Sequence, residues 1–427
     1  MAKDTNINLR NQVIYSIYVR NHTAEGTFNS IIPDLDRIKA LGTDIIWLMP
    51  IHPIGVKEKK GSLGCPYAIK DYRDVNPAYG TKDDFVNLVD EIHNRGMKCI
   101  IDVVYNHTSP DSVLVAEHPE FFFRKENGDF GNMAGDWGDV IDLDYSNKDL
   151  WRYQIDTLKM WAEIVDGFRC DVAAKLPVEF WVQARNEVEE VCPGCIWLAE
   201  TVHPGFIKYL RELNLIGNSD SQMYEAFDIV YDYDVRDDIT EYYEGKSTAS
   251  ALVKMLILQD SIYPKNYVKV RCLENHDTPR IASYIQDENS LRNYTAFNYF
   301  QKGTPLVHAG QEKADSNCPS LFEYDKVNWN TGIDLSSLMS RLYEIKKNEL
   351  FTDGAYNLKA YDELDVIVGS YEKNDSKLTG VFSFKNKNGI VACDLADGVY
   401  TNLISGEEVT VKDGYIDMKC APVIIEC

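Results

Sequence analysis

The chain has 427 residues, 44% of them hydrophobic and 26% charged, with a formal net charge of −23. That length accommodates two or three domains and a large buried core. So acidic a surface would repel nucleic acid or an anionic membrane, which excludes both as partners and favours a neutral ligand; no apolar run approaches a membrane span.

Met1 through Gln12 is polar and has neither an apolar core nor a small-residue cleavage site, so a cytoplasmic location is expected. Short apolar runs follow at Val13–Tyr18, Asp44–Met49, Lys98–Val104, Gly167–Val172, Cys195–Glu200, Gln222–Phe227, Val268–Glu274 and Thr304–Ala309. Their continuous hydrophobicity predicts strands buried on both faces, as in a parallel sheet. Amphipathic helices lie between them. Phe85, Leu88, Val89 and Ile92 recur at helical spacing, opened by Thr81 as N-cap and closed by Gly96. Trp151, Ile155, Leu158, Ala162 and Val165 form a second stripe, which reads as core packing.

Eight strands alternating with helices predict an α/β fold, a (β/α)₈ barrel with its chemistry at the C-terminal strand ends. An open doubly wound sheet would need a Gly-rich phosphate turn after the first strand, and the sequence has none. Thr108 to about Asn147 is longer than an ordinary loop and rich in Gly, Asp and aromatics, which predicts a small inserted subdomain. From about Leu350 short alternating runs replace the helical period (Val366–Tyr371, Leu378–Phe384, Gly389–Cys393, Val423–Cys427). The expected division is a barrel over 1–107 and 148–349, an inserted subdomain over 108–147, and a C-terminal β-sandwich over 350–427. The ten cysteines are scattered, which reads as reduced thiols rather than a disulfide framework. Cys192-Pro-Gly-Cys195 reads as a helix-to-strand turn.

Polar residues close four of these apolar strands: Asp102-Val-Val-Tyr-Asn106-His107, Gly167-Phe-Arg169-Cys-Asp171, Trp197-Leu-Ala-Glu200 and Glu274-Asn275-His276-Asp277. Carboxylates, histidines and one arginine therefore converge on one barrel mouth. Glycoside hydrolysis needs one carboxyl held protonated for the leaving oxygen and one ionised for the developing oxocarbenium ion. Arg169, two residues before Asp171 and on the same strand face, predicts a depressed pKa for Asp171, as suits a nucleophile. Glu200 follows an apolar strand with no adjacent base, so burial and acidic neighbours are expected to raise its pKa, as suits a proton donor.

These stretches closely resemble the α-amylase family of glycoside hydrolases, over almost the whole chain. Asp102–His107, Gly167–Asp171, Glu200 and Asn275-His276-Asp277 match four ordered family signatures. Trp47-Leu-Met-Pro50, Asp71-Tyr72…Pro77-Ala-Tyr-Gly80-Thr81 and Gly303-Thr-Pro-Leu-Val-His-Ala-Gly-Gln311-Glu312 support them. The resemblance implies Asp171 as nucleophile, Glu200 as general acid/base and Asp277 as the carboxylate that holds the distorted sugar. It further implies that Arg169 keeps Asp171 ionised, that His107 and His276 bind the same sugar, and that Tyr67 stacks on it. No cofactor is required for the chemistry.

Two departures matter. Many family members carry Lys-His at the third and fourth positions after the nucleophile, where this chain has Ala174-Lys175. In the family that Lys meets an acceptor sugar and that His contributes a backbone ligand to a structural calcium ion. Asn106 and Asp142 remain as candidate calcium ligands, two against the usual six to eight oxygens. Val172 directly follows Asp171, a feature the family's α-1,6-glucosidases often share, although Glu200-Thr201 lacks the companion feature.

The expected activity is retaining cleavage of α-1,4-glucosidic bonds in maltooligosaccharides and soluble α-glucans. A 4-α-glucanotransferase or an α-1,6-glucosidase would carry the same carboxylates, so linkage, endo or exo action and the balance of transfer stay open, as does the oligomeric state. A noncatalytic glucan-binding relative normally lacks one of the three acids, all present here. A metal-dependent hydrolase would need clustered ligands, which two histidines at separate strand ends do not supply.

Overall fold

The structure is a computed structural model and describes residues 4–135 and 137–427. Eight parallel strands close into a barrel: β1 (Ile14–Ile17), β2 (Ile45–Leu48), β3 (Lys98–Val103), β4 (Gly167–Cys170), β5 (Ile196–Ala199), β6 (Ile229–Tyr231), β7 (Val268–Cys272) and β8 (Thr304–His308). Each pairs with its neighbour in sequence, and β1 closes the ring on β8 with Ile14 opposite Leu306. Except for Lys98 every strand residue is buried, because barrel side chains cover one face and helices the other. At Gly167 an added Cβ would stand 2.2 Å from the Ile196 carbonyl oxygen, so a residue without a side chain lets β4 and β5 approach closely.

Seven strands fall within two residues of their predicted spans. The sixth does not. Gln222–Phe227, expected as a strand, opens instead as the last part of a short helix, Asp220–Met223. Ser219 caps that helix, and the Gln222 side chain accepts the Ser219 amide at 2.9 Å. This capping box fixes the turn as helical and moves the strand to Ile229–Tyr231, whose three residues are too short to stand out as a run. The predicted helix over the Phe85 stripe spans Lys82–Asn94, capped by Thr81 and Asp84.

After β3 the chain forms a two-stranded ladder in which His107 lies opposite Asp142, with a short helix, Val113–Glu117, between its strands. The C-terminal region holds two four-stranded antiparallel sheets. One contains β9 (Ala355–Tyr361), β10 (Val366–Lys373), β11 (Ser376–Ser383) and β16 (Val423–Glu426); the other β12 (Asn388–Ala392), β13 (Gly398–Thr401), β14 (Glu408–Lys412) and β15 (Tyr415–Lys419). Val366, Val368, Val381, Val391, Val411, Ile416 and Met418 form the core between them. Neighbouring Ile367, Tyr371 and Phe382 belong to the barrel's core instead, so successive residues of β10 serve different faces. Gly369 lies in that contact, where a Cβ would come within 2.6 Å of the Phe300 ring.

All ten cysteines are free, and the Cys195 amide donates to the Cys192 carbonyl, closing a turn. No helix among the described residues is long and apolar enough to cross a membrane.

Candidate active site

Asp102 and Arg169 are in register on β3 and β4, and both point into the barrel, where neither is exposed. One guanidinium nitrogen of Arg169, Nη1, donates to Asp102 at 2.9 Å and to Asp171 at 2.8 Å. Its second, Nη2, stands 2.9 Å from Glu200 Oε1. Asp171 and Glu200 directly follow the ends of β4 and β5 and so sit side by side at the mouth. The rings of Trp47, Tyr67 and Tyr231 wall in the guanidinium, with centroids 5.1 to 5.7 Å from its carbon. They shield from water a cation that three acids, Asp102, Asp171 and Glu200, face.

Val172 completes the link between the two strands. Its amide donates to Glu200 Oε2 at 2.7 Å. To aim that N–H, Val172 adopts φ 36 and ψ 40, a left-handed conformation costly for a β-branched residue. Both oxygens of Glu200 are thereby held.

Asp277 enters from the turn after β7. Asn275 accepts the Asp277 amide at 2.9 Å through Oδ1 and donates to the Tyr233 hydroxyl at 2.8 Å through Nδ2. Behind it, buried Glu274 pairs with Arg280 at 2.6 Å and accepts the Ile281 amide at 2.7 Å. His276 Nε2 faces Asp277 at 3.0 Å and the Tyr67 hydroxyl at 2.7 Å. An ionised carboxylate only accepts, so Nε2 carries the proton, and the Tyr67 hydroxyl donates to Asp102 at 2.9 Å. The Tyr67 and His276 rings stack 5.2 Å apart.

The predicted depression of the Asp171 pKa is not found. Burial pushes its carboxyl up to about 6, with Asp102 and Asp277 adding to the rise and Arg169 opposing it. The sequence expectation counted Arg169 as a private partner, whereas it serves three acids. Glu200 is raised as expected and further, to about 8, by burial and by Asp171 and Asp277 against the pull of Arg169 and the Val172 amide. The order survives: Asp171 ionises first. For Asp277 desolvation acts upward but His276 outweighs it, so its carboxyl lies below the usual value; 44% of its side chain is exposed. His107 is driven down to about 4 by burial, so it is a neutral imidazole at physiological pH.

The residues proposed for calcium, Asn106 and Asp142, do meet, but both Asp142 oxygens already accept hydrogen bonds. Asn106 Nδ2 donates to His107 Nδ1 at 3.0 Å and to Asp142 Oδ1 at 3.4 Å, and Asn132 also donates to Oδ1. Asp142 Oδ2 accepts the Met133 amide at 2.8 Å and faces the Lys175 ammonium at 3.9 Å. Nearby Asp139 is paired with Lys60 at 2.7 Å. Among the described residues no group of three or more His, Cys, Asp or Glu side chains is arranged to hold a metal. This donor set does not fit an ion that takes six to eight oxygens.

Sequence reasoning assigned no role to Asp102, Tyr231 or the Val172 amide. Asp102 left a signal, since a carboxylate inside an otherwise apolar strand requires a buried partner. Tyr231 followed the misplaced sixth strand, and a backbone N–H leaves no mark in sequence.

A family model described as the alpha amylase catalytic domain matches residues 7–130 and 132–350, and one described as the bacterial alpha amylase C-terminal domain matches residues 357–425. The chain is 25% identical over 398 residues to an intracellular maltogenic amylase of Bacillus subtilis, covering 86% of this chain and 62% of that protein's length. It thus spans about three fifths of this curated relative. An oligo-1,6-glucosidase of Bacillus sp. strain F5 is 25% identical over 387 residues, with 73% and 74% covered. Among solved structures, an alpha-amylase from Lactobacillus plantarum is 45% identical with a TM-score of 0.96, covering 99% of this chain and 100% of its own.

Proposed function

Because the chain belongs to the α-amylase family of glycoside hydrolases, we propose that it hydrolyses α-1,4-glucosidic bonds in maltooligosaccharides and soluble α-glucans with retention at the anomeric carbon. The observation that carries this reading is the Arg169 guanidinium, one nitrogen on Asp171 and the other against Glu200, with the two carboxyls on opposite sides of neutrality.

Asp171, ionised at neutral pH, attacks the anomeric carbon. Arg169 holds its Oδ1, leaving Oδ2 for the bond. As that bond forms, the glycosidic bond breaks and Glu200 gives its proton to the departing oxygen. Glu200 then takes a proton from water, the hydroxide oxygen bonds to the same carbon, and the ester to Asp171 breaks. Two inversions give retention. Asp277, open at the mouth and ionised, accepts hydrogen bonds from sugar hydroxyls. His107 and His276 hold the same sugar, and Tyr67, backed by the His276 ring, offers a face for stacking.

A second reading, α-1,6 cleavage, draws support from Val172 and from the likeness to an oligo-1,6-glucosidase. Ten free thiols and an intracellular relative support a cytoplasmic location. The test is proton NMR of fresh maltotetraose hydrolysate, with isomaltose in parallel. Newly formed α-anomer is expected, and Asp171→Asn should abolish it. First-formed β-anomer, or an undiminished variant, would overturn the proposal; glucose from isomaltose alone would favour the second reading, and longer products would indicate transfer.

A further inference from the structure

We propose that the Lys175 ammonium is the resident cation of the junction between the inserted segment and the barrel, so that the protein neither binds nor needs a calcium ion there. Lys175 ends the short turn Ala173–Lys175 that follows Val172, four residues after Asp171. Its side chain is only 5% exposed, and Nζ makes no hydrogen bond. A buried, unbonded ammonium is retained only where other charges compensate it. The compensation comes from Asp142, 3.9 Å away, and from the Trp137 ring, whose centroid is 4.5 Å from Nζ. Asp142 and Trp137 both belong to the inserted segment; Lys175 belongs to the loop that carries Asp171.

The lysine therefore fastens that segment to the catalytic loop by charge, as a metal ion would by coordination. Burial lowers the pKa of the ammonium, and the fields of Asp142 and Asp171 offset only part of that fall. The same place cannot serve both cations. A divalent ion on Asp142 would stand against a fixed positive charge in a site poor in water, where like charges repel strongly. The other Asp142 oxygen accepts hydrogen bonds from the side-chain amides of Asn106 and Asn132.

The experiment uses the full chain and measures thermal unfolding and metal content, neither of which depends on the substrate assignment. Wild type dialysed against a chelator should hold no calcium, and its Tm should not change when calcium is added in excess. Lys175→Met should lower Tm and Lys175→Arg should preserve most of it. Lys175→Met combined with Asp142→Asn should lose less than the sum of the single changes, because the two buried charges leave together. Stoichiometric calcium in wild type, or a Tm that climbs with calcium, would overturn the proposal; so would strictly additive losses in the pair. If Lys175→Met does not fold, the wild-type measurements and Lys175→Arg still decide.

Discussion

Arg169 carries one charge for three carboxylates, and that shortage sets the chemistry of the mouth. Ionising Asp102, Asp171 and Glu200 together would leave two negative charges uncompensated in a buried site, so one acid stays protonated. Glu200 is that acid. Its raised pKa also makes it a burden on the fold. Between its unfolded value near 4.5 and about 8, the native state keeps a proton that the unfolded chain has released, so stability falls as pH rises through that interval. Glu200→Gln should therefore lower kcat by roughly 10²–10⁴-fold while raising Tm, with a gain that grows between pH 5 and 8 by the same linkage. Calorimetry across that range, beside maltotetraose assays, checks both; a Tm gain independent of pH would contradict the assignment. Arg169→Lys should be nearly as damaging, because a point charge cannot bridge two carboxylates as the planar fork does. At this scale the sequence named the acids that the barrel gathers around Arg169 but misjudged the pKa of one of them, Asp171. Arg169 and Asp171 are neighbours in the chain, whereas Asp102 and Glu200 reach the same guanidinium from adjacent strands, and only the closed barrel brings them there.

At the scale of elements, strand ends were legible wherever a polar residue broke an apolar run. β4 and β5 end this way, and Asp171 and Glu200 follow directly. β6 has three residues and a capped helix just before it, so periodicity pointed to the wrong segment. The sandwich strands Gly398–Thr401, Glu408–Lys412 and Tyr415–Lys419 were also missed, although Val409 and Val411, and Ile416 and Met418, alternate with polar residues; the runs are short and most of their residues are exposed or half-buried. What positions Asp277 is a buried pair rather than a strand. Arg280→Met would leave Glu274 without its counter-charge, at a cost of about 3–5 kcal/mol, and would loosen the turn that presents Asp277. A lowered Tm together with a raised KM for maltotetraose is expected; a lowered Tm with unchanged kinetics would show that the pair does not position the turn.

Across the whole molecule the sandwich is joined to the barrel by aromatic packing. Phe382 on β11 is fully buried, with its ring 5.2 Å from Phe300 and 5.4 Å from Phe297. Phe382→Ala should cost about 3–5 kcal/mol, seen as a lowered denaturation midpoint, yet leave kcat at 25 °C unchanged because the mouth lies elsewhere. The sequence predicted both units and their order; the interface between them depends on single residues such as Gly369, whose missing side chain has no meaning until Phe300 is seen against it.

The central claim is that burial, opposed by one shared guanidinium, leaves Asp171 ionised and Glu200 protonated near neutrality, and the pH dependence of kcat/KM for maltotetraose tests it most directly. Activity requires Asp171 ionised and Glu200 protonated. The rate should fall below about 6 as Asp171 gains its proton, and above about 8 as Glu200 loses its own. Glu200→Gln should abolish the alkaline limb in whatever activity remains. A wild-type profile that stays flat through pH 9, or an alkaline limb that persists in Glu200→Gln, would contradict the account.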